Sequence, residues 1–164
     1  MKVWGIIGWK NSGKTGLMER LVAEFTQRGL TVSTMKHAHH AFDLDRPGKD
    51  SHRHRGAGAR EVLLASGRRW ALMHELRDAA EPELDDLLTK LAPVDLVLVE
   101  GFKSGPQPKI EAHRPETGQE LIAPGDPSVR AIASTGNPET GTLPLLPLDD
   151  TRAIADFIAV ELGL

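Results

Sequence analysis

Gly8-Trp9-Lys10-Asn11-Ser12-Gly13-Lys14-Thr15 matches G-x-x-x-x-G-K-S/T in full. Glycines let the backbone bend so that successive N–H groups converge on phosphate oxygens. The helix expected to begin near Gly13 adds its positive dipole end. In such a site Lys14 reaches the β- and γ-phosphates and the Thr15 hydroxyl holds Mg²⁺. Gly8, Asn11, Ser12, Gly13, Lys14, Thr15 and Gly16 are therefore the candidate nucleotide-binding residues. An acid completes the set. Val94-Asp95-Leu96-Val97-Leu98-Val99-Glu100-Gly101 is a nearly continuous apolar run ending in a carboxylate. An acid at the carboxyl tip of a central strand faces Mg²⁺ or its waters. Glu100 is that candidate, because Asp95 sits at the start of the strand.

A third stretch carries ionisable groups without a period. His37-Ala38-His39-His40-Ala41-Phe42-Asp43-Leu44-Asp45-Arg46-Pro47-Gly48-Lys49 reads as a functional loop, and five of the seven histidines lie between His37 and His54. His37 and Asp45 are the nearest candidates for a catalytic base. His37, His39 and His40 followed by Asp43 and Asp45 also invite a Zn²⁺ or Ni²⁺ reading. Seven Lys/Arg between Arg46 and Arg69, against Asp50 and Glu61, could meet a phosphate or form a solvated face. Trp9 could line the nucleotide pocket or a dimer contact. Trp4 and Trp70 fall in strand-like runs and read as core.

The elements that must position these groups are legible in part. Lys2 to Ile7 is strand-like and enters the glycine loop directly. Leu17, Met18, Leu21, Val22 and Phe25 share one helical face, which Gly29 closes. Leu30 to Lys36 is a second strand, rich in β-branched residues. Strand, loop, helix and strand in this order make a βαβ unit with a parallel sheet. Asp50 or Ser51 could cap a short helix running to Gly58. Residues 61–66 and 69–74 read as two strands joined at Gly67-Arg68. Glu81 to Leu91 reads as an amphipathic helix. Pro108 to His113 and Glu120 to Ala123 resemble the arms of a hairpin around Glu116-Thr117-Gly118. Residues 130–134 form a further core strand, 145–148 a short late one, and Asp149 or Asp150 caps a final helix. The expected fold is α/β and P-loop NTPase-like, with a mostly parallel central sheet flanked by helices and an added antiparallel hairpin. One domain over 1–164 is expected, with the hairpin extension at about 108–125. The exposed edge of that hairpin is the expected dimer surface.

Composition excludes several classes. A net charge of −3 argues against a general nucleic-acid binder. Cysteine is absent, so there is no disulfide, thiolate metal site or cysteine nucleophile. No apolar run approaches the ~20 residues that span a bilayer. The chain enters its first strand without a basic-then-apolar leader, so a cytoplasmic location is expected.

Four stretches occur in order: the glycine loop, Lys36-His37-Ala38-His39-His40, Asp45-Arg46-Pro47-Gly48-Lys49-Asp50-Ser51, and Val97-Leu98-Val99-Glu100-Gly101-Phe102-Lys103. Together they resemble the molybdopterin-guanine dinucleotide biosynthesis adaptor proteins, the MobB family, from Lys2 to about Ser134. The resemblance implies a homodimeric GTP-binding protein. Such a protein assists the guanylyltransferase that joins GMP to molybdopterin, with at most weak GTP hydrolysis. It implies that Gly8 and Asn11 to Thr15 cradle the triphosphate and that Thr15 and Glu100 serve Mg²⁺. By the same resemblance His37, Asp43, Asp45 and Lys49 would line a switch-like loop facing the γ-phosphate, with Lys49 among the nucleotide contacts.

Two positions depart from the family pattern. Gly16 stands where Thr or Ser usually contacts the α-phosphate, so the β- and γ-phosphates should be held better than the α-phosphate. No Asn-Lys-x-Asp guanine motif appears; Ser134-Thr135-Gly136-Asn137 is the right region without those residues. The competing readings are a small P-loop metabolite kinase, with Arg53 and Arg55 as lid arginines, and a nickel-delivery GTPase. The second typically uses cysteine with histidine.

Overall fold

The computed structural model describes residues 1–38 and 43–164. They form two compact units, one of residues 1–37 with 88–164 and the other of residues 38–87.

The larger unit is built on a six-stranded sheet. Its strands are β1 (Lys2–Ile7), β2 (Val32–Lys36), β5 (Leu96–Glu100), β6 (Lys109–His113), β7 (Val129–Ser134) and β8 (Leu145–Pro147). The order is β2-β5-β1-β6-β7-β8 and every pairing is parallel. All carboxyl ends therefore lie along one edge, where ligands of open α/β sheets bind. Helices α1 (Lys14–Gln27) and α4 (Thr151–Leu162) pack on one face. Trp4 and Ile6 of β1 meet Leu17, Leu21 and Phe25 of α1 and Ile154 and Ile158 of α4 there, all fully buried. On the other face Ile7 and Ile132 are covered by Ala123 and Val129, with Leu121, Ile122 and Leu143 beside them. Asp150 caps α4 as its position predicts, accepting from the Ala153 N–H at 3.0 Å. Asp95, at the start of β5, accepts from the Thr31 N–H and hydroxyl, so it ties the starts of two strands together.

The smaller unit holds α2 (Asp50–Gly56) and an antiparallel pair, β3 (Glu61–Ala65) and β4 (Trp70–His74). Arg55 organises it. Its guanidinium donates to Asp43 at 2.8 Å and to Glu75 at 2.9 Å. Leu63 faces Leu72 and Ala65 faces Trp70 in the ladder, so these side chains share one face. Leu63, Leu72 and Trp70 are all exposed there, Trp70 by 66%. The expectation that Trp70 is core is corrected: its strand has a single partner, and its outer face has no cover within the unit.

The strand-like run at 108–113 is not a hairpin arm. It is β6, an interior strand between β1 and β7 with all five residues buried. Residues 115–117 and 123–125 are single 3₁₀ turns, and 120–122 form no strand. The antiparallel hairpin lies instead at 61–74. The physical reason is that the polar residues of β6 carry their own partners. Lys109 is fully buried and donates to the Lys103 and Gly105 carbonyls, Asp126 and the Ser128 hydroxyl. Glu111 is fully buried and accepts from the Ile122 and Ala123 N–H groups. Burial pushes the Glu111 carboxyl up, and those N–H groups work against it. Polar alternation of this kind reads as a solvent face only when the polar groups reach water. The helix expected over 81–91 contracts to α3 (Leu84–Leu88).

Candidate functional site

The loop from β1 to α1 is shaped by three left-handed positions. Gly8 has φ of 145°, Asn11 65° and Gly13 93°. A Cβ at Gly8 would strike the Ala112 carbonyl and the Ser12 hydroxyl, so only glycine fits against β6 there. The Ser12 N–H closes the loop on the Trp9 carbonyl at 3.2 Å. Helix α1 then starts at Lys14 with Gly13 as its cap and no side chain accepting from its first turn. Its leading N–H groups and dipole end are therefore directed at the loop's concavity without an internal acceptor. Lys14 lies back across the loop, donating to the Trp9 carbonyl at 2.6 Å. Burial pushes its ammonium below the usual lysine range, Glu100 acts in the opposite sense, and Lys103 and Lys36 add to the lowering.

Glu100 occupies the carboxyl tip of β5, beside β1 and in register with Ile6 and Lys36. It is 9% exposed, and its Oε1 lies 3.4 Å from the Lys36 ammonium. The chain then turns sharply through Gly101 (φ 90°) and Phe102 (φ 47°). A Cβ on Gly101 would come within 3.0 Å of the His37 Cβ. Gln107 donates to the Phe102 carbonyl, and Lys109 holds the Lys103 and Gly105 carbonyls. This clamp aims the Lys103 ammonium at the indole of Trp9, 3.9 Å over the ring. Lys14, Lys36, Lys103 and Glu100 thus share one electrostatic neighbourhood, as the perturbation of Lys14 records.

Thr15 lies in the first turn of α1 and is exposed. Lys14 is within electrostatic reach of Glu100, and Thr15 follows it in the first turn of α1. The donor set, one hydroxyl and one carboxylate beside a phosphate-directed lysine, fits Mg²⁺ with triphosphate. His37 follows β2; its N–H donates to the Glu100 carbonyl at 2.9 Å, and its ring packs on Phe102 at 4.8 Å between centroids. Asp45 and Lys49 belong to the smaller unit. Asp45 accepts from the Arg46 N–H and the Ser51 hydroxyl, which folds its own loop. His39 and His40 lie outside the described residues. Among the described residues no group of three or more His, Asp or Glu could hold a metal ion.

Gly16 is helical, and a Cβ there would approach nothing closer than 3.5 Å, to Arg20. Gly16→Ser is thus sterically free. It replaces a helix glycine by a better helix former, worth about 0.5 kcal/mol, and restores a hydroxyl worth about 0.5–1.5 kcal/mol to a phosphate. The expected outcome is a higher melting temperature with severalfold tighter GTP binding, read by thermal unfolding and calorimetric titration.

Sequence reasoning passed over three cations here. Lys36 and Lys103 stood inside quoted motifs but received no role. Arg114 had no signal at all. Its Nε comes within 3.1 Å of the point where a Cβ on Gly13 would sit, so its guanidinium lies on the loop.

A parallel sheet, a glycine loop opening onto an uncapped helix, and an acid at the tip of the neighbouring strand define a P-loop NTPase-like α/β protein. Solved structures agree. The chain resembles MobB of Bacillus subtilis with a TM-score of 0.78 at 26% identity, covering 99% of this chain and 98% of that one. It resembles the MobB homolog of Bacillus stearothermophilus with a TM-score of 0.73 at 28% identity, covering 99% of each. The family model for molybdopterin guanine dinucleotide synthesis protein B matches residues 3–135, and the chain belongs to the MobB family. Two curated relatives are molybdopterin-guanine dinucleotide biosynthesis adapter proteins. That of Haemophilus influenzae is 43% identical over 94% of this chain and 85% of its own length. That of Escherichia coli K12 is 40% identical over 92% and 87%. Among the described residues no helix is long and apolar enough to cross a membrane.

Proposed function

We propose that this chain is an adaptor in the formation of molybdopterin guanine dinucleotide, binding GTP with Mg²⁺ and acting beside the guanylyltransferase that joins GMP to molybdopterin. The observation that carries the reading is the near full-length identity to the adapter proteins of Escherichia coli and Haemophilus influenzae. The site geometry supports it. Gly8, Asn11, Ser12, Gly13 and the first turn of α1 supply backbone donors, Lys14 the phosphate-directed cation, and Thr15 with Glu100 the Mg²⁺ ligands. Mg²⁺, when bound, neutralises phosphate charge.

Any hydrolysis is weak, with His37 as the candidate base in the larger unit, since its ring is packed on Phe102. The kinase alternative is disfavoured because Arg55, needed as a lid arginine, is committed to Asp43 and Glu75. The protein works in the cytoplasm as a homodimer, binding neither nucleic acid nor membrane. Its dimer surface is the apolar face of β3–β4, because β6 is interior and presents no edge.

The test is guanine dinucleotide formation from molybdopterin by the purified guanylyltransferase, with and without this chain and MgGTP. A higher product yield together with co-elution of the two proteins is expected. No complex and no change in yield would overturn the reading.

A further inference from the structure

Beside the glycine loop lies a groove of about 700 Å³ that reaches from Asn11 to the ends of β6 and β7. Trp9 and Lys10 line it on the loop side, and Arg114, Glu116, Gln119 and Thr135 on the side of the β6 and β7 ends. Three features indicate what it takes.

The first is an aromatic wall fixed in advance. The Trp9 Nε1–H donates to the Glu120 carbonyl at 2.8 Å, and Lys103 sits over the ring. Trp9 nevertheless stays 40% exposed. An indole already held in place loses little freedom when a flat ring packs against it.

The second is an unneutralised acceptor. Glu116 has no cation partner among the described residues, where its one side-chain hydrogen bond is from the Thr135 hydroxyl, 3.5 Å from Oε2. A carboxylate accepts two adjacent N–H groups at once. A 2-amino-4-oxopyrimidine edge offers such a pair, one ring N–H and one amino group. Adenine sets an acceptor nitrogen against the carboxylate instead and is disfavoured.

The third is positive charge at the loop end. The Arg114 guanidinium makes no hydrogen bond among the described residues, although it lies against Gly13. With Lys10 it leaves two cations facing the groove, which suits a phosphate attached to the heterocycle.

We propose that this groove reads a 2-amino-4-oxopyrimidine edge, that of guanine or of a pterin, through the Glu116 carboxylate, with Trp9 as the stacking wall and Arg114 as the phosphate contact. The inference rests on the nucleotide reading above and extends it. Glu116 supplies, from the turn after β6, the carboxylate that residues 134–137 lack.

The experiment titrates MgGTP, MgATP and 6-hydroxymethylpterin against the wild type, Glu116→Ala, Glu116→Gln and Lys14→Ala. Glu116 is exposed, so its variants fold. A bidentate base contact predicts that wild type favours GTP over ATP by about tenfold or more. With guanine in the groove, Glu116→Ala brings GTP down to the ATP level while ATP is unchanged, and Glu116→Gln falls between. With a pterin there, 6-hydroxymethylpterin binds in the presence of saturating GTP and is lost in Glu116→Ala. Either result supports the proposal and assigns the source of the edge. The proposal is overturned if Glu116→Ala leaves both the GTP-to-ATP ratio and pterin binding at wild-type values. It is equally overturned if the wild type neither prefers GTP nor binds pterin. Lys14→Ala separates the two readings: it abolishes both nucleotides and spares the pterin. A wild type that binds pterin through Glu116 but no nucleotide would keep the groove assignment and sink the nucleotide reading.

Discussion

Lys14→Ala loses at least about a hundredfold in MgGTP affinity and melts within a few degrees of the wild type. The binding loss follows from chemistry. A charge-assisted hydrogen bond is worth about 1.5–3 kcal/mol, and a lysine between the β- and γ-phosphates makes more than one. The unchanged stability follows from the environment of Lys14. Burial holds its ammonium below the usual lysine range, so its charge is not what keeps the fold together. Its one side-chain hydrogen bond among the described residues is to the carbonyl of Trp9, an exposed residue whose oxygen water can serve instead. Equilibrium binding and a thermal melt, run on the same preparation, check both halves. A variant with wild-type GTP affinity would refute the assignment of the loop.

Lys109→Met is the opposite case, costing the fold about 3–5 kcal/mol, as breaking a buried ion pair by removing one partner does. In a protein of this size that is a drop in melting temperature of about 6–20 °C. Methionine keeps the length of the stem, so little of the loss is cavity. What remains is unpaired polarity: the Lys103 and Gly105 carbonyls, the Ser128 hydroxyl and the Asp126 carboxylate all lose one donor. A second readout is pH. Burial works to raise the Asp126 carboxyl, but hydrogen bonds from Ser128 and Lys109 outweigh it and hold the group below the usual aspartate range. A depressed carboxylate contributes stability that is present above its unfolded pKa and lost as pH falls through the folded one. Wild type should therefore lose stability on the acid side below about pH 4, and Lys109→Met should lose less of it over the same window. Because Lys109 also clamps the 103–105 turn, the variant should loosen Lys103 from Trp9, visible as a change in tryptophan emission. A melting temperature and acid limb equal to wild type would contradict the clamp.

The sequence shows most clearly where local chemistry dictates local form. The glycine loop, the α1 face, the acid-tipped β5 and the Asp150 cap all stand where residue types require them, and Glu100 lies beside the loop as the spacing implies. The order β2-β5-β1-β6-β7-β8 is less visible, because crossovers leave no mark on the residues they join. Strand β6 misled for a specific reason. Lys109 and Glu111 look like a wet face, and only the tertiary structure shows that Lys109 is paired with Asp126 and Glu111 with two N–H groups. Trp70 misled in the other direction, since hydrophobicity predicts burial but cannot say whether a covering element exists. Arg114 was invisible because nothing in its neighbours marks a residue whose role comes from a loop a hundred positions earlier. The glycine loop itself was legible throughout. What the structure adds is the cationic neighbourhood of Lys36, Lys103 and Arg114 around it.

Calorimetric titration of MgGTP into the wild-type protein tests the central claim most directly. One saturable site per chain is expected, weakened when Mg²⁺ is withdrawn or Glu100 is replaced by Gln. Absence of saturable binding, or binding indifferent to both Mg²⁺ and Glu100→Gln, would contradict it.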